Sequence, residues 1–376
     1  MVLAATEAVP AAADVVCACG SDTRRDASST TGLPLNSAPA ALVIARVKTR
    51  LLAPLVLLNF SLLALALAPT LRAAEPAPKV TKLADRVRVE LGGKLFTEYF
   101  FTGAQRPYFY PVLAADGTQL NRDYPMKTDT PGEETDHPHH RSLWFTHGAV
   151  GGVDFWADGA KNGKIVSDGV TATTKGDAAI VAARNRWLAP DGGVICTDDT
   201  TVTMRAIPDG RLLDYEVTVK APADKPLVFG DTKEGSMAMR VAQWMTAPHK
   251  LKGNATAPTG TIINDAGVTN TPAWGKKSAW VDYHGVKDGK TYGVAMFDSP
   301  KNPRHPTWWH VRDYGLFAAN PFGQHDFENL KSNPNAGDLT VPAGGSVTFR
   351  WRFYFHMGDE KTARVAERFA DYAAGK

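Results

Sequence analysis

From residue 75 to the C-terminus, apolar and polar positions alternate in short runs with a period of two. Arg86-Val87-Arg88-Val89-Glu90-Leu91 is such a run. Gly92-Gly93 then turns the chain, and Lys94 to Phe101 (KLFTEYFF) resumes in β-branched and aromatic residues, which predicts a hairpin. Asp-Gly pairs starting at 116, 158, 168, 191, 209 and 288 punctuate further runs, among them Ala179 to Ala182, Thr201 to Met204 and Leu212 to Val219. Leu227 to Gly230, Met237 to Met245, Ala279 to Tyr283, Thr291 to Phe297, Leu316 to Ala319 and Ser346 to Phe355 are further strand candidates. One stretch has helical spacing: Glu360 to Ala373, with Asp359 as N-cap, Val365, Phe369 and Tyr372 on one face, and Gly375 at the end. Roughly 15 or more short strands cannot lie in one flat sheet, so the pattern predicts an all-β fold. The expected form is a large sandwich of two antiparallel sheets with one C-terminal helix. No internal repeat of about 20–50 residues and no linker divides residues 75–376, which read as a single domain.

Upstream the pattern is different. Arg46, Lys48 and Arg50 precede the apolar run Leu51 to Ala68, and a small-residue stretch ends at Ala73-Ala74, so residues 47–74 read as an export signal cleaved near Ala74. A retained membrane anchor is the competing reading of that run. Pro54, Asn59 and the Ala-rich end favour cleavage, leaving an exported domain with no membrane contact. Residues 1–46 show neither helical nor strand periodicity and push the signal far from Met1, the pattern of a start assigned upstream of the true one, with Val47 as initiator. The pair Arg24-Arg25 lacks the apolar residues that a twin-arginine signal needs downstream.

The composition is that of a globular chain, 44% hydrophobic and 22% charged, and its net charge of +3 does not indicate a nucleic-acid partner. Two of those three charges fall in residues 1–74, and the remainder, at +1, has no basic run. Cys17 and Cys19 lie in the leader. Cys196 is then the lone cysteine of the exported part and reads as a buried small hydrophobe.

Histidines carry the chemistry. Four of the ten fall between 137 and 147, in Asp136-His137-Pro138-His139-His140-Arg141-Ser142-Leu143-Trp144-Phe145-Thr146-His147, where a turn-rich loop runs into a strand. A second cluster runs from Asn302 to Tyr314, and a third, Gly230-Asp231-Thr232-Lys233-Glu234-Gly235, sets two carboxylates and a lysine between glycines. With DHPHHRSLWFTHGAVGGVDFW (136–156), GDTKEGSMAMRV (230–241), FDSPKNPRHPTWWHVRDYGLFAANPFG (297–323) and FYFHMG (353–358), the chain resembles the bacterial PmoA-like family of secreted proteins over most of residues 80–376. That family takes its name from a methane monooxygenase subunit, a multi-helix membrane protein. This chain has no apolar span after the signal, which argues against an oxygenase of that kind. The family is in turn similar to galactose-mutarotase-type β-sandwiches, and that likeness implies sugar binding with a histidine acid and a carboxylate base.

Opening or cleaving a sugar acetal requires a proton given to one oxygen and one taken from another, which an imidazole and a carboxylate can supply from opposite sides of a ring. The residues expected in those roles are His139 or His140 as acid and Glu234 as base, with Asp231 as its partner. Arg141 and Arg240 would clamp hydroxyls or a sugar carboxylate. His147, His305, His310 and Arg312 are expected to line the site. Trp144, Trp156, Trp308 and Trp309 adjoin the polar clusters and offer stacking faces, against the alternative of core packing. Strand alternation would expose one ring of the Trp308-Trp309 pair.

A divalent metal, copper or zinc, is the competing reading, with His137, His139 and His147 as ligands. Adjacent His139 and His140 would point to opposite sides of an extended segment, and no HExxH spacing is present, so no cofactor is favoured. Asp154, His249 and His284 read as turn residues, Asn320 to Gly323 as a sharp turn bringing Gln324 and His325 beside it, and His356 as structural. The sequence thus predicts an exported carbohydrate-active protein, an epimerase, lyase or glycosidase-like enzyme acting on a small carbohydrate or glycan. The alternatives are a non-catalytic sugar-binding module and a copper-dependent oxidase. The oligomeric state stays open.

Overall fold

The computed structural model describes residues 76–376; the expected extension, the signal and the two leader cysteines lie outside the described residues. Alternation builds the sheets. In the strand Gly210–Lys220, Arg211, Leu213, Tyr215, Val217 and Val219 are buried, while Asp214 and Glu216 turn outward to Arg352 and Arg350 of the neighbouring strand.

Two large antiparallel sheets result. The first has nine strands in the order Lys79–Lys82, Arg86–Leu91, Lys94–Phe100, Tyr108–Val112, Leu143–His147, Gly235–Arg240, Leu316–Asn320, Thr307–Val311 and Lys277–Ser278. The second has eight, in the order Thr261–Asn264, Trp280–Lys287, Lys290–Asp298, Ser346–Met357, Gly210–Lys220, Val194–Ile207, Ala178–Leu188 and Lys164–Lys175. Between them lies the core, where Phe145 of the first sheet meets Trp187 and Trp351 of the second at centroid distances of 5.9 and 5.7 Å. Cys196 is buried there, and burial pushes its thiol pKa up, so it is inert.

Two details depart from expectation. Asp168-Gly169 does not turn the chain but marks a register shift between Ser167 and Gly169 inside the strand Lys164–Lys175, a use of glycine at a bulge. The C-terminal helix spans Val365–Ala373 rather than starting at 360: Asp359 Oδ1 accepts the Thr362 N–H at 2.8 Å and closes a separate turn, and Arg364 has φ +55°. Val365, Phe369 and Tyr372 then pack on Trp280, Phe297 and Tyr354, on the outer side of the eight-stranded sheet. Among the described residues no helix is long and apolar enough to cross a membrane.

The nine-stranded sheet positions the site. Four adjacent strands, Leu143–His147, Gly235–Arg240, Leu316–Asn320 and Thr307–Val311, are buried along their whole length. One face meets the core; on the other, Trp144, Ala238, Leu316 and Ala318 pack with Trp156 from a covering loop.

Candidate functional site

The three polar clusters converge on that covered outer face. His137, His139 and His140, Lys233 and Glu234, and His310, Arg312 and Tyr314 line one cavity of about 400 Å³, together with Asp154, Trp156 and Ala157.

Three buried arginines shape its wall. Arg122 donates to the carbonyls of Tyr124, Glu134, Asp136 and His137 and to the Asp136 carboxylate, threading the loop around itself. Arg106 ties the carbonyl of His139 (3.1 Å) to that of Trp156 (2.8 Å) and pairs with Asp158 at 2.7 Å. Arg240, on the sheet below, pairs with Asp136 Oδ1 at 2.8 Å and donates to His140 Nδ1 at 3.2 Å. With its carbonyls held, the loop bends sharply. His137 adopts φ +44°, Arg141 N–H bonds back to the His139 carbonyl, and the His139 and His140 rings meet edge to face at 4.5 Å instead of pointing apart.

Rings stack in sequence across the wall. Tyr314 lies parallel to His137 at 5.1 Å, His137 to His140 at 4.7 Å, and His140 nearly so to Trp144 at 5.4 Å. The outer oxygen of Asp136, Oδ2, accepts from His137 Nδ1 at 2.7 Å. That bond assigns a proton to His137 Nδ1 and leaves Nε2 facing outward on a ring whose side chain is 38% exposed. Burial alone would raise the Asp136 pKa, but the His137 hydrogen bond and the Arg240 and Arg122 charges outweigh it and hold the carboxyl well below its usual range.

Three neighbouring imidazoles are shifted toward the neutral form. Burial, then the Arg106 and His137 charges, push His139 down to about 4. Burial and Arg240 hold His140 well below its ordinary value, and its Nδ1 accepts from Arg240, so Nε2 carries the proton. Burial also lowers His310 to about 3, with its Nδ1–H on the Lys233 carbonyl at 2.6 Å. Both shifts favour the neutral ring at neutral pH, which weighs against His139 or His140 as the acid expected from the sequence. Histidine-detected NMR is expected to show His139 titrating near pH 4; a midpoint above about 6 would mean the ring is solvated.

Glu234 faces this wall from the segment before the strand Gly235–Arg240. Both neighbouring glycines are needed for its approach: a Cβ on Gly148 would sit 2.9 Å from Glu234 Cβ, and one on Gly235 would sit 2.3 Å from His147 Nδ1. Its partner is Lys233, at 3.0 Å, and not Asp231. The Asp231 carboxylate is itself buried, accepts the N–H groups of His325 and Gly337 and pairs with the His325 ring at 2.9 Å.

Several expected site residues lie elsewhere. Strand parity puts His147 on the core face, against Phe229 and Phe322, opposite to Trp144. Its Nε2–H donates to the Gly230 carbonyl at 2.7 Å, and Ser236 Oγ stands 3.3 Å from Nδ1. His137, His139 and His147 therefore do not form a ligand set, and among the described residues no three His, Cys, Asp or Glu side chains are grouped to hold a metal ion. Trp309 faces the core, and Trp308, on the outer face, is covered by Lys277 and donates to Glu328, so neither ring is exposed. Trp144 is buried against Trp156 and offers no open stacking face. His305 pairs with Asp298 at 2.7 Å and stacks on Phe369 beside the C-terminal helix, outside the cavity. Arg141 sits 3.6 Å from Asp158 and over Tyr108, also outside, and Arg240 is taken up by Asp136 and His140.

Sequence reasoning passed over Asp136, Arg106, Arg122 and Tyr314 and placed His137 only as a metal ligand. The adjacent acid in Asp136-His137 was the available signal for the couple. Arg106 and Arg122 gave none, because most of their partners are backbone carbonyls.

No curated protein sequence matches the chain significantly. Among solved structures it is similar to a galactose mutarotase-like protein from Lactobacillus casei, at 10% identity over 74% of this chain and 100% of that one, with a TM-score of 0.34. It is also similar to a galactose mutarotase related enzyme from Lactobacillus acidophilus, at 10% identity over 74% and 97%, TM-score 0.29. A third is a 4-alpha-glucanotransferase from Thermococcus litoralis, at 10% identity over 75% of this chain and 39% of that one, TM-score 0.28. A family model spans residues 86–370, and the chain belongs to that family, DUF6807, a family of unknown function.

Proposed function

We propose that the cavity performs acid/base chemistry on a sugar, as an epimerase or lyase, with His137 and Glu234 as the proton-transfer groups. One observation carries the reading: Asp136 fixes His137 with Nε2 free, in a cavity that Glu234 also lines. An oriented imidazole accepts a proton from one substrate atom while a carboxyl group serves another, and neither needs a resident cofactor. Hydrolysis by two carboxylates fits less well. Asp154 accepts from the N–H groups of Trp156 and Ala157 and from Asn162, and Asp136 is held by arginines, which leaves Glu234 as the cavity's one carboxylate without such anchoring. A sugar as substrate is supported by the hydrogen-bonding side chains that line the cavity and by the motif resemblance; the PmoA-like label itself supplies no reaction. The apolar stretch Leu51 to Ala68 supports placing the reaction outside the cytoplasm.

The test is a panel of reducing sugars, uronic acids and oligosaccharides incubated with the protein in D2O and followed by proton NMR for anomer exchange, deuterium incorporation and vinylic signals. His137→Ala and Glu234→Gln are each expected to lower the observed rate by at least about a hundredfold. Rates unchanged in both variants, or no reaction with any sugar, would overturn the proposal.

A further inference from the structure

Arginine side chains in this fold are otherwise all occupied. Among the described residues, every arginine but one pairs with a carboxylate or donates to a backbone carbonyl. The exception is Arg312, on the cavity wall, whose guanidinium has no anionic or carbonyl partner among those residues. Rings hold it instead: its central carbon lies 5.8 Å from the Trp274 centroid and 5.6 Å from that of Tyr314. Ring contacts of this kind hold a guanidinium without using up its N–H groups.

Resting on the reading of the cavity as a sugar site, we infer that its substrate carries a carboxylate, as a uronic acid does, and that Arg312 binds it. The local charges favour a single negative charge. Lys233 is paired with Glu234, and Asp154 is satisfied by N–H donors, so Arg312 is the cation left without a counter-charge in the cavity. A planar monoanion matches one free guanidinium through two parallel hydrogen bonds, whereas a phosphate dianion would leave excess charge in a partly buried site.

Titration calorimetry on the full chain with glucuronate, galacturonate, glucose, galactose and a sulfated hexose tests this. The uronates are expected to bind about ten- to a hundredfold more tightly than the neutral sugars, the range of one charge-assisted contact. Arg312→Met should collapse that ratio to near one, and Arg312→Lys should restore part of it, which separates recognition from a folding defect. Equal affinity for acidic and neutral sugars, with turnover of the neutral ones still dependent on Glu234, would overturn this inference and leave the reading of the site standing. Preference for the sulfated hexose over both uronates would overturn the carboxylate assignment. Absence of binding and turnover for every sugar would overturn the reading beneath it as well.

Discussion

Replacement of Asp136 by alanine is expected to cost about 3–5 kcal/mol of stability, the range for removing one partner of a buried ion pair. Arg122 and Arg240 both place a guanidinium on Asp136 Oδ1, and both side chains are 1% exposed. Burial and the neighbouring Arg240 already lower the Arg122 pKa to about 10, so the two cations repel each other across the carboxylate that holds them. Without it, two charges remain in a place water does not reach. Asp136→Asn keeps the shape and an acceptor, and its stability loss should be smaller. Its activity should still fall about as far as that of His137→Ala, because an amide no longer selects the Nδ1–H tautomer. Guanidinium denaturation and turnover on both variants separate these effects; a loss under about 1 kcal/mol in Asp136→Ala would show that the arginines find other partners. The native pair also gives a pH dependence of known sign. A carboxyl depressed in the folded state contributes fully above its unfolded value, near 3.9, and that contribution disappears as pH falls through the folded value.

What could be read from the sequence follows from which interactions leave a periodic trace. Period-two alternation is enough to put Trp144 and His147 on opposite faces of one strand, and Trp308 and Trp309 likewise. The mistaken expectation for His147 came from counting histidines within eleven residues without applying that parity across the loop-to-strand junction. The loop itself was unreadable. Its shape depends on Arg106 and Arg122 reaching backbone carbonyls of residues 134–139 and 156, and a carbonyl has no sequence signature. Adjacent His139 and His140 therefore looked divergent in an extended segment, whereas the bent segment brings their rings into contact. The convergence of three distant clusters leaves no periodic trace either. The register puts His140 and Tyr314 at one end of neighbouring strands, beside Arg240, while Lys233 and Glu234 enter from the opposite end, where the Lys233 carbonyl is held by His310.

Away from the cavity, Asp282→Ala is expected to destabilise the protein by a similar amount, about 3–5 kcal/mol, through the docking of the C-terminal segment. Asp282 is fully buried on the outer side of the eight-stranded sheet, with Oδ1 at 2.6 Å from His284 Nδ1 and Oδ2 at 2.7 Å from His356 Nε2. The two rings sit on the strands either side of Lys290–Asp298, across Gly293 of that strand, where a Cβ would come within 2.1 Å of His356 Cε1. His284, expected as a turn residue, is thus a strand residue in a buried triad, and Glu360 of the covering segment lies 3.9 Å from it. The signs of the two titrations oppose each other. Burial raises the Asp282 pKa, but His356 and His284 outweigh it and leave the carboxyl depressed, so its contribution is lost as pH falls through the folded value. Burial lowers His284, but the Asp282 hydrogen bond and charge leave it raised, so its contribution is complete below about 6.5 and is lost as pH rises through the folded value. The stability gap between the native protein and Asp282→Ala, measured by denaturant midpoint across pH, should therefore be widest between about pH 4 and 6.5 and narrow on both sides. A gap that is flat across that range would mean the triad is held by packing alone, with no ionised pair at its centre.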